Sequence, residues 1–267
     1  MTQPKFLILS GDGINCERET ARAVELAGGS AEIVHVNDLI DAPEKLKIAD
    51  GLTIPGGFSF GDELGSGQIL ALKIRHKLGD AFFDMVRAQK PVIGICNGFQ
   101  VLMKMGLLPY PEGDERVAAL AANESGAFID RWVGLDVNTD SVCKWTEGLN
   151  TLRLPIRHGE GRVVFSDDSV YETLKNNGQI PLTYTEDVNG SHGRIAGLTD
   201  PTGMVLGLMP HPEAFVHRGT DAAPQRDIAE KGDGILLFEN IIRVMRGHEK
   251  TPSPAKVGEG EARVAGG

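Results

Sequence analysis

A cysteine placed between two glycines is the residue with the clearest potential for chemistry. Cys96 ends the apolar run at residues 92–95, and Gly94 and Gly98 stand two residues to either side. Small residues there let a strand reverse sharply into a helix around a strained nucleophile, as in the Gly-x-Ser-x-Gly elbow of hydrolases. The helix dipole and free N–H groups at such a position favour a thiolate. The pattern predicts a cysteine nucleophile for acyl transfer. The alternative, a buried structural cysteine, leaves the two glycines unexplained.

A histidine and a glutamate late in the chain are candidate partners for this thiol. His211 lies between two prolines, and Glu213 follows two residues later. The prolines restrict the backbone around His211, and Glu213 can hold the imidazole in one tautomer. A cysteine nucleophile needs a base that a third group orients, and these groups often come from distant segments. An isolated His-Pro-Glu is more often an ordinary loop, so this interpretation depends on the cysteine elbow.

A glycine-rich turn at residues 54–62, Ile-Pro-Gly-Gly-Phe-Ser-Phe-Gly-Asp, directly follows a short apolar run. It has neither the Lys-Ser/Thr pair of a phosphate-binding loop nor the glycine spacing of a dinucleotide site. We interpret it as part of an oxyanion hole. The N–H of Gly57 and the N–H of Asn97 are predicted to face a tetrahedral intermediate from opposite sides.

The elements that position these residues follow from hydrophobic periodicity. Short apolar runs alternate with segments of helical period, which predicts a parallel sheet covered on both faces. Asn15 is the predicted N-cap of the first helix, and residues 130–165 are predicted to extend the sheet with further strands. The predicted strands are residues 5–9, 31–36, 52–54, 92–95, 131–137, 151–156, 182–185, 194–198 and 205–208, and the predicted helices are residues 17–27, 69–88, 168–176 and 234–246. We expect one domain over residues 1–249 and a disordered tail over residues 250–267, which lacks periodicity and large apolar groups.

Composition narrows the class of function. The chain has 267 residues, 41% of them hydrophobic, and a formal net charge of -10. It has no basic run dense enough to neutralise the phosphates of a duplex, and no apolar stretch near the ~20 residues of a membrane-spanning helix. The first residues also lack the basic region of a signal peptide. We therefore expect a cytoplasmic globular protein with no nucleic-acid and no membrane partner.

The three cysteines, Cys16, Cys96 and Cys143, show no CxxC spacing and no accompanying pair of histidines. Both a disulfide scaffold and a structural metal site are therefore disfavoured, and we expect no metal on this chain. Cys16 lies at a predicted helix start and Cys143 in a poorly patterned stretch, and no base motif accompanies either. We predict structural roles for both.

Three motifs in this order resemble the class I (triad) glutamine amidotransferases: P-G-G-F-S-F-G-D, G-I-C-N-G-F-Q and M-P-H-P-E. More narrowly, the blocks G-D-G-I-N-C-E-R-E-T, R-W-V-G-L and P-I-R-H-G-E-G-R, with the long stretch that runs into M-P-H-P-E, resemble the glutaminase subunits of phosphoribosylformylglycinamidine synthase. The similarity spans residues 5–246. It implies an α/β fold, a flavodoxin-like three-layer sandwich with a mostly parallel central sheet.

The same resemblance implies a catalytic triad. Cys96 is then the nucleophile, His211 the base and Glu213 the orienting acid, while Gly57 and Asn97 form the oxyanion hole. A further implication is that Gln100 and the backbone around His158, Gly159 and Glu160 contact the glutamine substrate.

The implied reaction hydrolyses glutamine and passes the ammonia to a separate ATP-dependent synthetase subunit in purine biosynthesis. ATP and magnesium are then expected on that partner, with no cofactor on this chain, and a small accessory subunit is expected in the same complex. In one respect the sequence departs from the family pattern. Residues 63–67, Glu-Leu-Gly-Ser-Gly, stand where an aromatic residue, a leucine and an arginine are usual.

Two other functions remain open from the sequence. One is a cysteine peptidase or chaperone-like member of the same superfamily. In that class the histidine tends to follow the elbow cysteine closely, whereas residues 97–110 contain no histidine. The other is a catalytically silent domain that only binds partners, which the intact Cys96, His211 and Glu213 disfavour.

Overall fold

The computed structural model describes residues 3–111, 116–221 and 231–247. The predicted tail at residues 250–267 and the predicted domain end at residue 249 lie outside the described residues. The helices are α1 (Glu17–Leu26), α2 (Val36–Asp41), α3 (Glu44–Ile48), α4 (Gln68–Arg87), α5 (Asn97–Met105), α6 (Asp168–Asn176) and α7 (Ile235–Met245). The strands are β1 (Lys5–Ser10), β2 (Ser30–His35), β3 (Gly51–Ile54), β4 (Val92–Ile95), β5 (Ala118–Ala122), β6 (Ile129–Val137), β7 (Thr151–His158), β8 (Glu160–Phe165), β9 (Leu182–Tyr184), β10 (Ile195–Thr199) and β11 (Val205–Leu208).

A mixed sheet forms the centre of the described chain. Its nine strands lie in the order β2-β1-β3-β4-β11-β10-β9-β6-β7, and β5 pairs with β8 in a separate small sheet. The first five of these strands are mutually parallel, and the remaining neighbours are antiparallel. Because β9 and β7 return to the direction of the first five, seven of the nine strands point the same way. The parallel part has the strand order of flavodoxin-like folds.

The alternation of side chains along β3 shows that helices cover both faces of the sheet. Ile54 faces α5, because a methyl group added to Gly98 in α5 would lie 3.1 Å from Ile54 Cβ. Gly51 is three residues away and faces the other side, where it packs on Phe6. Aromatic contacts then link Phe6 through Trp145 to Phe238 of α7. Since α4 packs with α5 and α1 with α7, the fold has three layers, as predicted.

Most predicted elements are confirmed. The predicted bounds of β4, β11 and α6 match the structure, and the predicted extension of the sheet by residues 130–165 is confirmed for β6 and β7. Residues 160–165 instead form β8, which pairs with β5 in the separate small sheet. The prediction that Asn15 caps α1 is wrong. Its backbone N–H donates to Gly56 O, so Asn15 belongs to the preceding loop and Cys16 occupies the cap position without a side-chain capping bond.

The parallel strands bring four distant segments to one edge of the sheet. The connections after β1, β3, β4 and β11 contain Cys16, Gly57, Cys96 and His211 respectively. Carboxyl ends of parallel strands share an edge, which is where open α/β sheets bind ligands. None of the described helices is both long and apolar enough to cross a membrane.

Candidate active site

The backbone at Cys96 turns sharply between β4 and α5. Cys96 has φ +51° and ψ -103°, a backbone conformation that residues other than glycine rarely adopt. Its N–H donates to Leu208 O over 2.8 Å, and its carbonyl accepts from Gln100 N–H over 3.1 Å. These bonds tie the turn to β11 on one side and to the first turn of α5 on the other. The turn is therefore held in a strained geometry by ordinary secondary structure, as the elbow motif predicts.

The two glycines beside Cys96 are required by close backbone contacts. A methyl group on Gly98 would lie 1.9 Å from Ile54 O, and one on Gly94 would lie 2.6 Å from Gly98 O. Both distances are far shorter than van der Waals contact. Because Gly94 and Gly98 have no side chains, α5 can pack closely against β3 and β4. This packing places the Cys96 thiol at the start of the helix.

A rigid turn after β11 presents His211 and Glu213. The His211 N–H donates to Pro155 O in β7 over 2.9 Å, and Phe215 just beyond the turn packs edge-on against Trp132 in β6 with ring centroids 5.0 Å apart. The Nδ1 of His211 lies 2.5 Å from Glu213 Oε1. Both side chains are only 3% exposed. Glu213 therefore fixes the orientation of the ring, as the sequence predicts.

The electrostatic surroundings of His211 favour its protonated form. Burial alone lowers its pKa, but the charges of Glu213 and Cys96 act in the opposite direction and raise the pKa well above its usual value. The Cys96 side chain is thus close enough to interact with the ring. No described residue forms a hydrogen bond with His211 Nε2, so this nitrogen is open to a proton exchange with the thiol or with a substrate.

The sulfur of Cys96 faces the carboxyl end of β7. Its thiol lies 3.5 Å from Arg157 O, and Tyr184 in β9 is close enough that Cys96 contributes, after burial, to raising the pKa of its phenol. Cys96 is only 6% exposed, so neighbouring residues cover its thiol almost completely.

The two predicted oxyanion donors, Gly57 and Asn97, lie in the segments that follow β3 and β4, at the edge of the sheet that carries Cys96. Gly57 has φ +152°, and a methyl group there would lie 2.5 Å from Gly13 O. The turn is pinned to the loop after β1 because Phe58 N–H donates to Gly13 O over 2.8 Å. Asn97 is the first residue of α5, where backbone N–H groups have no partner within the helix. The arrangement supports two N–H donors near Cys96.

The side chain of Asn97 connects the glycine-rich turn to the helix. Its Oδ1 accepts from Ser59 N–H over 3.2 Å, while its Nδ2 donates to Asp62 Oδ1 over 3.3 Å and to Gln100 Oε1 over 2.9 Å. Gln100 Nε2 in turn donates to Glu160 O over 2.5 Å. Asp62, for which the sequence predicts no role, thus links the glycine-rich turn to α5. It directly precedes residues 63–67, which depart from the family pattern.

The predicted substrate contacts at residues 158–160 line the other side of the site. The His158 ring and Asn123 Oδ1 form a 3.0 Å hydrogen bond, and Asn123 also binds the His158 carbonyl over 2.8 Å. Burial and the charge of His211 lower the pKa of His158 to about 4, so its ring is neutral near pH 7. Gly159 O accepts from Asn123 N–H over 2.9 Å. Asn123, a residue without a recognisable motif, therefore holds this wall of the site in place.

Cys16 lies unexpectedly beside the catalytic candidates. One ligand atom each of Cys16, His211 and Glu213 lies within 4.8 Å of the other two. No sequence motif indicates this proximity, because Cys16 precedes His211 by nearly two hundred residues and has no base motif of its own. Cys143, by contrast, is buried and its pKa is raised by burial, which supports its predicted structural role.

Comparison with known proteins agrees with the motifs. A family model described as a CobB/CobQ-like glutamine amidotransferase domain matches residues 3–244. Phosphoribosylformylglycinamidine synthase subunit PurQ of Methanococcus maripaludis is 40% identical to this chain, in an alignment that covers 95% of that protein and 91% of this chain. The protein of the same name from Dehalococcoides mccartyi is 41% identical and is covered to 99%, with 92% of this chain aligned.

Solved structures give the same result. A chain in the structure of PurLQS from Thermotoga maritima aligns with a TM-score of 0.71 and 34% identity, covering 91% of this chain and all of that one. A Thermoplasma acidophilum protein whose crystal structure is named for GMP synthase aligns with a TM-score of 0.58 and 16% identity, covering 92% of this chain and 96% of that one. The second likeness extends to the fold alone.

Proposed function

Because the chain belongs to the family of glutaminase subunits of phosphoribosylformylglycinamidine synthase, we propose that Cys96, His211 and Glu213 are the triad with which it hydrolyses glutamine. The observation that carries the assignment is the placement of His211. Glu213 holds one ring nitrogen at 2.5 Å, and the charge of Cys96 acts on the same ring. The strained elbow at Cys96 gives the thiol the position that a nucleophile needs.

In the first half-reaction the Cys96 thiolate attacks the side-chain carboxamide carbon of glutamine. The carbonyl oxygen becomes an oxyanion, which the N–H groups of Gly57 and Asn97 stabilise. The C–N bond then breaks as His211 gives its proton to the leaving nitrogen, and ammonia departs. The product on the enzyme is a γ-glutamyl thioester with Cys96.

In the second half-reaction water attacks this thioester. His211, now neutral, takes a proton from the water, and the thiolate leaves as the C–S bond breaks. Glutamate is released and the starting ion pair of thiolate and imidazolium is restored. Glu213 stabilises the imidazolium in both steps and keeps its tautomer fixed.

Glutamine is proposed to bind between Cys96 and the β7–β8 connection. Gln100, positioned by Asn97, and the backbone around His158, Gly159 and Glu160 are proposed to contact it. Because the His158 ring is neutral near pH 7, it adds no charge beside the proposed pair of Cys96 thiolate and His211 imidazolium.

The ammonia is proposed to pass to a synthetase subunit in a complex that also contains a small accessory subunit. The Thermotoga maritima structure bears the name PurLQS, which indicates an assembly of this kind for that relative. ATP and magnesium are assigned to the synthetase, and none of the residues proposed for glutamine hydrolysis requires either of them.

The test is chemical trapping of the nucleophile. A glutamine-like electrophile is expected to label the intact chain once, at Cys96, and mass spectrometry of its peptides locates the label. Cys96→Ala is expected to lose both the label and the release of glutamate from glutamine. Cys143→Ala serves as the matched control because that thiol is buried away from the four connections.

Retention of glutaminase activity in Cys96→Ala would remove the nucleophile assignment. A chain that binds the synthetase but neither accepts the label nor hydrolyses glutamine in the complex would instead support the silent binding subunit. Hydrolysis of peptides by the isolated chain would favour the peptidase alternative.

A further inference from the structure

Three different metal-binding groups meet next to the nucleophile. The cluster consists of the Cys16 thiol, the His211 imidazole and the Glu213 carboxylate, with one ligand atom from each within 4.8 Å of the others. They come from the connection after β1 and the turn after β11, so the shared edge of the sheet brings them together. The proposed mechanism uses His211 and Glu213 but gives Cys16 no part.

Two atoms of this cluster are buried without a described partner. Glu213 Oε2 and His211 Nε2 are inaccessible to solvent, and no described residue hydrogen-bonds to either of them. Buried polar atoms are nearly always satisfied, and an unsatisfied carboxylate oxygen in a buried site calls for a donor or a cation. Glu213 Oε2 can therefore accept a cation directly, and His211 Nε2 can do so once the ring has lost its proton.

The backbone of Cys16 is fixed in place. Its N–H donates to Gly56 O over 3.3 Å, and its carbonyl accepts from the Thr20 hydroxyl over 2.7 Å. Although Cys16 occupies the N-cap of α1, its side chain does not cap the helix. Its thiol donates to Asn15 Oδ1 over 3.2 Å, a contact that a metal–thiolate bond can replace. The Cys16 thiol is therefore held beside His211 and Glu213 and is not used to cap the helix.

We propose that Cys16, His211 and Glu213 bind one Zn²⁺ ion and that bound zinc reversibly blocks glutamine hydrolysis. The inhibitory part of this inference rests on the proposed function, whereas the binding part does not. Thiolate, imidazole and carboxylate are all zinc ligands, and three protein ligands with one open position form a familiar zinc geometry. Sulfur and nitrogen donors also exclude magnesium and calcium as the preferred ions.

The spacing and the charge both suit zinc. Tetrahedral zinc with bonds of about 2.0 to 2.3 Å places its ligand atoms roughly 3.3 to 3.6 Å apart. From the 4.8 Å upper limit the ligand atoms need to approach by about 1.2 to 1.5 Å, whereas His211 Nδ1 and Glu213 Oε1, 2.5 Å apart, need to separate by about 1 Å if both bind the ion. Rotation of the side chains allows both changes. Zinc displaces the proton of the Cys16 thiol and the proton that His211 carries, which leaves a thiolate, a neutral imidazole and a carboxylate as ligands. The dication then neutralises the two negative charges of the thiolate and the carboxylate.

Zinc at this position removes His211 from catalysis whichever ring nitrogen it takes. Coordination through Nδ1 displaces the hydrogen bond to Glu213, and coordination through Nε2 occupies the nitrogen that exchanges protons with Cys96 and substrate. A metal-bound imidazole can neither accept nor donate the catalytic proton. Inhibition therefore follows from binding itself.

Metal binding is tested on the full-length chain without an affinity tag, with Co²⁺ as the spectroscopic probe and Zn²⁺ as its competitor. Cys96→Ala is used as the background, because it removes the neighbouring thiol and all glutaminase activity. We expect one Co²⁺ per chain with a sulfur-to-metal charge-transfer band in the near ultraviolet, which Zn²⁺ abolishes. Adding Cys16→Ser is expected to remove the band and to weaken Zn²⁺ binding by 100-fold or more.

Cys143→Ser in the same background is the matched control and is expected to retain both the band and the affinity. A band that survives Cys16→Ser, or no saturable binding in the Cys96→Ala background, overturns the proposed site. If Cys16→Ser does not fold, Glu213→Gln replaces it and is expected to weaken Zn²⁺ binding while retaining a shifted sulfur band.

Inhibition is tested separately in chains with Cys96 intact. Zn²⁺ is expected to inhibit glutamate release reversibly, with full recovery on addition of a chelator. The Zn²⁺ concentration for half-inhibition is expected to rise at least tenfold in Cys16→Ser relative to its own uninhibited rate. Equal sensitivity in both chains would assign inhibition to Cys96 and overturn the inhibitory role. Because cobalt binding is read without activity, a wrong triad assignment would leave that result intact and appear only in the labelling experiment.

Discussion

At the scale of single residues, the chemistry of the site depends on how the His211 ring is charged. Burial opposes the imidazolium, and the neighbouring charges of Glu213 and Cys96 favour it. With a raised pKa, His211 carries its proton near neutral pH and can give it to the departing ammonia. The proton is lost only as the pH rises through this raised pKa. The basic limb of the activity profile therefore reports the charge balance around the ring.

Glu213→Gln changes this balance without changing the shape of the side chain. Without the carboxylate charge, burial dominates and the pKa of His211 falls. We expect kcat to fall by about 100-fold or more, which is the typical contribution of an acid–base group. The basic limb of the kcat profile should also move to lower pH, because the imidazolium then loses its proton earlier. Steady-state glutaminase assays across pH measure both effects.

The matched control for this prediction is Glu172→Gln on the exposed face of α6. It removes an equal charge far from the site and is expected to leave the profile unchanged. A Glu213→Gln profile with an unshifted basic limb would contradict the proposed electrostatic role of Glu213.

The pKa of His158 is shifted in the opposite direction to that of His211, and this shift affects stability. Its pKa is lowered to about 4 in the folded chain, while an exposed histidine has its usual value of 6.5. Below pH 6.5 the unfolded chain binds a proton that the folded chain does not, so the free energy of unfolding decreases as pH falls towards 4. The shift corresponds to about 3 kcal/mol between those limits. His158→Gln should flatten this acid slope in urea unfolding measured at several pH values, and an unchanged slope would contradict it.

The residues proposed for the triad could be singled out from sequence because each lies in a motif with a local mechanical cause. Gly94 and Gly98 identified the elbow at Cys96, and the flanking prolines identified His211. Asn123 and Cys16 could not be found in this way. Their positions depend on which strands become neighbours, and neither residue has a local pattern that encodes the pairing.

At the scale of elements, the close approach of α5 to β3 and β4 fixes the position of the nucleophile. Gly98→Ala would place a methyl group 1.9 Å from Ile54 O, a backbone atom that cannot move without shifting β3. We expect the substitution to lower the free energy of unfolding by roughly 2 to 4 kcal/mol and to abolish most glutaminase activity. Thermal unfolding and glutamate release measure the two effects.

Gly79→Ala is the control for the elbow substitution. Gly79 lies within α4, and no atom stands within 4 Å of an added methyl group. Alanine there is expected to raise the free energy of unfolding by about 0.5 to 1 kcal/mol, since glycine is the poorer helix former. Similar stability of the two variants would mean that the contact between α5 and β3 is looser than the structure indicates.

The elements that sequence reasoning missed are short or lack periodicity. Helices α2 and α3 contain six and five residues, fewer than two turns each, so no apolar stripe can develop. β5 consists almost wholly of alanine and pairs only with β8 in the small sheet. Most longer elements follow hydrophobic periods of two or 3.6 residues, and those predicted with bounds agree with the structure within two residues. No bounds were predicted for α5 or β8.

At the scale of the whole molecule, the rim of the site exposes two aromatic side chains. Phe58 and Phe128 are 49% and 54% exposed, and their ring centroids lie 6.3 Å apart. Phe58 follows Gly57, the proposed oxyanion donor, and Phe128 lies 3.7 Å from where a side chain on Gly159 would begin. Exposed aromatic pairs next to a site are typical of protein contact surfaces. We therefore expect the synthetase subunit to cover this rim.

Phe128→Ser is expected to weaken association with the synthetase by about tenfold, because burial of half a phenyl ring contributes on the order of 1.4 kcal/mol. The wild-type chain alone should hydrolyse glutamine slowly and accelerate when the synthetase is added, because Phe58 and Phe128 connect the proposed docking surface to the glycine-rich turn and to Gly159. The variant should keep the slow rate and need more synthetase for the same acceleration.

Ile48→Ser is the control, because Ile48 is 67% exposed at the end of α3, near the amino end of β3 and away from the site. Calorimetric titration of each chain with the synthetase, with glutaminase assays on the same samples, measures both quantities. Equal binding by the two variants, or full activity of the wild-type chain alone, would contradict docking at this rim.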